Sequence, residues 1–68
     1  MSYYEDKKDA LKDVEGIINK GGKATIDSLE YFLMSKYGFG KKVLESILNV
    51  LEAHGSITTG GDTVKWKK

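Results

Sequence analysis

The sequence predicts an α+β fold: three helices, one short strand and a C-terminal β-hairpin, in a single domain spanning residues 1–68. Two observations carry this. Apolar residues recur at helical spacing in three segments, each closed by glycine. The chain then ends on "GSITTGGDTVKW", residues 55–66, where two short alternating runs flank a glycine pair.

Each element has its own local cause. Ser2-Tyr3-Tyr4-Glu5 matches a capping box, so a first helix is expected over 3–19. Tyr4, Leu11, Val14 and Ile18 form its apolar stripe, flanked by Ala10 and Ile17. Asn19-Lys20-Gly21-Gly22 ends it. Lys23-Ala24-Thr25 is a short extended connector, and the Thr25 hydroxyl can cap a second helix over 26–37, with Asp27 in its first turn. Ile26, Leu29, Phe32 and Leu33 supply its inward stripe. In "YGFGKK" Phe39 stands between two glycines as an aromatic plug aimed at the core.

A third helix is expected over 41–54, with Leu44, Ile47, Leu48 and Leu51 buried, Val43 and Val50 beside them, and Gly55 as the stop. His54 suits the negative end of the helix dipole. Strands over 56–59 and 62–67 then pair around Gly60-Gly61, which sets Ile57 opposite Val64, Thr58 opposite Thr63 and Thr59 opposite Asp62. Alternation gives Ile57, Val64 and Trp66 one face, with Thr58, Thr63, Lys65 and Lys67 on the other.

Composition narrows the function classes. The chain has 68 residues and no cysteine, so it offers no disulfide framework, thiolate site or cysteine nucleophile. A lone His54 leaves a zinc site short of ligands, and no cofactor is expected. A domain of this size buries only about 60% of its unfolded surface. Without disulfide staples, a cytoplasmic location is the expectation, nucleoid-associated if DNA is the partner. Apolar runs never exceed four residues, so no membrane span is expected. Arginine, glutamine, proline and cysteine are absent while lysine and glutamate abound, a composition that suggests a thermophilic source. Carboxylates of the first helix (Asp6, Asp9, Asp13) alternate with Lys7, Lys8 and Lys12, the pattern of a solvated face and not of a desolvated acid–base pair. With no phosphate loop or nucleophile–base pair either, an enzyme is not expected.

The net charge of +1 hides an asymmetry. Residues 1–31 hold seven acids against five lysines; residues 32–68 hold three acids against six lysines. The second part is therefore basic.

Taken together, "KATIDSLEYFL", "YGFGKKVLESILNVLEAHGSI" and "TTGGDTVKW" resemble a winged helix-turn-helix DNA-binding domain over essentially the whole chain, with small archaeal proteins the nearest type. The resemblance implies that helix 41–54 is the recognition helix, lying in the major groove of double-stranded DNA, and that the hairpin is a wing on the backbone. It implies a transcriptional regulator or a small chromatin-associated factor. On the third helix, Lys42, Glu45, Ser46 and Asn49 fall at i, i+3, i+4 and i+7, one polar face with Lys41 at its N-terminal edge. Asn49 can read adenine and Glu45 can accept from cytosine, while Ser46 is permissive. Lys41 and Lys42 sit beside a helix N-terminus that favours anions. Thr58, Thr59, Gly60, Lys65, Lys67 and Lys68 form the wing contact, with Lys36 in the same basic half.

Plainer readings stand beside these. The polar face of the third helix is also what any solvated helix presents, Glu45 opposes a phosphate, and arginine, the commonest reader of guanine, is missing. Lysines on a hairpin also block edge-to-edge aggregation. Phe32 and Trp66 belong to apolar stripes, so Tyr31 and Tyr37 are the aromatics expected at the surface. Tyr3 and Tyr4 either close the bottom of the core or form a homodimer contact through helix one. The alternative function is a protein-interaction module without nucleic acid, docking through acidic helix one or a groove beside the wing.

Overall fold

Three helices pack on one face of a three-stranded antiparallel sheet in the computed structural model, which describes residues 3–67. Helix α1 spans Tyr3–Gly21, strand β1 Lys23–Thr25, helix α2 Ile26–Tyr37 and helix α3 Lys41–Ala53, followed by strands β2 (Ile57–Gly60) and β3 (Thr63–Trp66). The sheet order is β1-β3-β2, so the strand between α1 and α2 joins the C-terminal hairpin. The expected capping residue Ser2 lies outside the described residues, as does Lys68 of the expected wing.

Local chemistry sets most boundaries. Thr25 is extended, and its hydroxyl accepts from the Ser28 amide at 3.2 Å, which starts α2 where its capping residue predicts. Helix α3 ends in a Schellman arrangement. Gly55 takes φ +72°, its amide donates to Glu52 and the Ser56 amide donates to Leu51, so the last carbonyls find partners. The helix proper stops at Ala53, one residue short of expectation, with His54 as its exposed cap. Helix α1 runs two residues further than expected, because Gly21 stays helical and Gly22 makes the left-handed exit.

The core joins one face of every long element. Ala10, Val14 and Ile18 of α1 meet Leu29 and Leu33 of α2, Leu44, Ile47, Leu48 and Leu51 of α3, and Ile57 and Val64 of the hairpin. Phe39, Phe32 and Trp66 pack at its margin, half-buried. Tyr4 does not belong to it and is 78% exposed. The seven-residue steps from Ile18 to Leu11 to Tyr4 drift about 20° each around a straight helix, which carries Leu11 to the core edge and Tyr4 past it. Tyr3 is also exposed, at 52%, and sets its ring edge-on to Phe39 at 5.7 Å.

The hairpin register also differs from expectation. Gly60 lies inside β2 and pairs with Thr63, while Ile57 faces Trp66, Thr58 faces Lys65 and Thr59 faces Val64. The turn is Gly61-Asp62, with Gly61 at φ +62° in the first central position, as a type II′ turn requires. The third strand explains the choice. β3 must align with β1 so that the Trp66 amide reaches Gly22 and the Ile26 amide reaches Asp62, each at 2.8 Å. The change moves each pairing by two residues, so both faces keep their expected membership.

Helices α1 and α2 are fastened at the surface by one cluster. The Tyr37 hydroxyl donates to Asp13 at 2.5 Å and the Lys36 ammonium to the same oxygen at 2.9 Å. Tyr37, expected at the surface, is therefore half-buried, with its ring stacked on Phe39 at 5.4 Å. These two donors, Tyr37 first, hold the Asp13 carboxyl below its ordinary pKa, and the Tyr37 phenol is raised by the same bond. Folded Asp13 thus binds a proton less readily than unfolded Asp13. Its contribution is complete above the unfolded value of about 3.9 and is lost as the pH falls through the lower folded value. Tyr37→Phe is expected to cost about 1 kcal/mol, since water still reaches the carboxylate. Asp13→Asn should flatten the loss of stability below about pH 4, measured by urea unfolding at several pH values.

Candidate nucleic-acid interface

The buried arc of α3 turns Lys41, Lys42, Glu45, Asn49 and Glu52 to solvent, all exposed. Lys41 and Lys42 open the helix directly after Gly40, whose backbone provides no side-chain cap. α1 and α2 carry acids in their first turns, and α3 carries none. Two lysines at the positive end of a helix dipole cost the fold a few tenths of a kcal/mol, and free amides there attract anions. Packing does not account for these charges.

Ser46, expected on the same solvent face, is half-buried: the Lys7 ammonium of α1 donates to its hydroxyl at 2.8 Å. The flank toward α1 is thus closed, leaving Lys42 and Asn49 in the middle of the open face. The opposite flank faces the hairpin, where the Thr59 hydroxyl donates to Glu52 at 3.3 Å. Glu45 and Glu52 are seven residues apart and share that edge. The edge of α3 toward the hairpin is therefore acidic at Glu45 and Glu52, with Lys41 four residues before Glu45 on the same edge.

Lys36 stands apart. It is held by Asp13 at 2.9 Å and lies over the Phe32 and Tyr37 rings at 5.7 and 5.4 Å, which occupies its charge within the fold. Its pKa is raised, chiefly by the hydrogen bond to Asp13. Thr58, Gly60 and Lys65 lie on the hairpin face turned away from the helices, with Lys67 exposed just beyond β3. Thr58, Thr59, Gly60, Thr63 and Lys65 line a shallow depression of about 230 Å³ there. Lys41, Lys42, Lys65 and Lys67 form no ion pair among the described residues.

Lys23 is not among the expected contacts. On β1 it pairs directly with Lys65 of β3, adding a third strand to the basic face. The signal was present in the two-residue period of "KAT", where Ala24 must face the core opposite Val64 and so turns Lys23 outward.

Exposed apolar side chains lie on α1 and α2. Tyr31 is 76% and Met34 58% exposed on α2, and Tyr4, Lys7, Lys8 and Leu11 line an almost wholly apolar depression of about 200 Å³ on α1. Among the described residues no group of three metal-ligating side chains converges, and no helix is long and apolar enough to cross a membrane.

The architecture defines an α+β protein with three helices and a β1-β3-β2 antiparallel sheet, compatible with a winged-helix layout without being specific to it. No protein-family model, curated protein or solved structure matches the chain.

Proposed function

We propose that this chain is a winged-helix protein that binds double-stranded DNA, with α3 in the major groove and the hairpin on the phosphate backbone. The supporting observation is uncompensated basic charge. Lys41 and Lys42 occupy the end of α3 where the dipole disfavours them, and Lys65 and Lys67 have no carboxylate partner among the described residues. A phosphate at either position would supply the missing counter-charge.

The two ends of the interface do different work. Lys41 and Lys42 contact phosphate and fix the helix in its groove, and Asn49 is the side chain able to read an adenine edge through paired bonds. Glu45 and Glu52 oppose phosphates, so they disfavour any pose that lays the helix flat along the backbone. Ser46 is occupied by Lys7, and Lys36 by Asp13, so neither is a principal contact. The protein accordingly works as a regulator or a small chromatin-associated factor.

A fluorescence-anisotropy titration of random duplex, single strand and RNA at low salt tests the reading. Duplex is expected to bind with the highest affinity. Asn49→Ala should leave the average affinity for random duplex within a few-fold while flattening preference in a site-selection experiment. Equal loss for every sequence would move Asn49 to the phosphate contacts.

A second reading has its own observation. Tyr4, Tyr31 and Met34 are large apolar side chains left in water, as a protein-docking module would leave them, and α1 is where a homodimer would form. Sedimentation analysis of the chain alone distinguishes a dimer from a monomer.

A further inference from the structure

We propose that the outer face of the sheet, centred on the Lys23–Lys65 pair, is a phosphate-contact surface separate from α3. This rests on the duplex-binding reading and assigns part of it to a place the helix does not reach.

Cross-strand register defines the face. Lys23, Lys65 and Thr58 form one row across β1, β3 and β2, and Thr25, Thr63 and Gly60 form the next. The alternate residues Ala24, Val64, Ile57 and Trp66 turn toward the helices. The Lys23 and Lys65 rows therefore point away from α3 and from the core.

Two properties set this face apart from an ordinary solvated sheet. First, directly opposed residues on antiparallel strands hold their Cβ atoms about 5 Å apart, and like charges there destabilise the pairing. Lys23 and Lys65 adopt that arrangement, and neither has a carboxylate within ion-pair distance among the described residues. Second, the face holds no acid. Its other side chains are threonines, and Asp62 lies in the turn beyond the last row. Adjacent to Lys65, the depression of about 230 Å³ brings the Thr58 and Thr63 side chains beside the backbone of Gly60. Two ammonium groups with neighbouring hydroxyl donors suit a tetrahedral oxyanion, and a diester phosphate of the nucleic-acid backbone is the occupant that continues the hairpin's proposed contact. Edge protection against aggregation accounts for Lys23 on the edge strand β1 but not for Lys65, because β3 is the central strand.

The variants Lys23→Gln, Lys23→Glu and Lys42→Gln, titrated with random duplex over a series of salt concentrations, test this. Lys23→Gln is expected to lower the steepness of log K against log salt by about one, as Lys42→Gln does, and to weaken binding about tenfold at 50 mM salt. Lys23→Glu should weaken binding further while raising the melting midpoint by a few degrees, since it faces Lys65 with an opposite charge. Amide shifts in NMR spectra should include Lys23, Thr58 and Thr63. If both Lys23 variants bind as wild type while Lys42→Gln loses a contact, the sheet face is not a phosphate surface and the duplex reading stands. Absence of wild-type duplex binding at 20 mM salt would overturn both. Poly-glutamate competing as well as duplex, with shifts confined to this face, would replace the phosphate with an acidic protein and overturn the proposal.

Discussion

Val64→Asp is expected to leave the chain unfolded at room temperature, whereas Lys65→Asp, one residue along, should fold. Val64 is fully buried on the central strand, between Ala24 and Thr59. The substitution removes roughly 2 kcal/mol of apolar burial and places a carboxylate among aliphatic side chains. The sole buried polar residue described is Ser56, next to β2 and not a cation. An unpaired buried charge costs several kcal/mol. A chain of this length has roughly 3–10 kcal/mol of stability in total. The carboxylate at position 65 would instead meet water and Lys23. Circular dichroism on the two variants decides the point, and similar melting curves would mean that the sheet faces are misassigned.

The double reversal Lys41→Glu with Lys42→Glu should weaken duplex binding at 50 mM salt by at least 100-fold, with the fold intact. Each lysine lost from a phosphate forfeits about 0.9 of a released counterion, worth roughly tenfold at that salt concentration. The two glutamates add repulsion. They also improve the helix, because acids at its first turn suit the dipole. A raised melting temperature with lost binding would separate function from stability. Unchanged binding would remove α3 from the interface.

Much of this architecture is legible in the sequence because its causes are local. α2 begins where Thr25 caps it and stops before Gly38, and β1 occupies the three residues after Gly22, the last of them that cap. The hairpin turn was not legible. Gly60 and Gly61 both suit a turn, and the choice depends on pairing with β1, some forty residues away in the chain. The candidate interface was legible only as composition and helical period. Lys42 and Asn49 are exposed on α3, the region the amphipathic spacing indicates. Nothing local reveals that Lys7 crosses to Ser46 or that Lys36 turns back to Asp13, contacts spanning 39 and 23 residues. Lys23 is a mixed case: the period of "KAT" turns it outward locally, but its place beside Lys65 follows only from the alignment of β1 with β3.

These exchanges alter the charge account without changing its size. On the proposed reading Lys36 leaves the interface and Lys23 joins it, so among the described residues Lys23, Lys41, Lys42, Lys65 and Lys67 are the five ammonium groups available to phosphates. The most direct measurement is the affinity of the wild-type chain for random duplex DNA between 50 and 200 mM salt. Neutralisation of five phosphates is expected to give a log–log slope of about −4.5, a loss of roughly 500-fold across that range. A slope near zero, or no binding at the lowest salt, would contradict it.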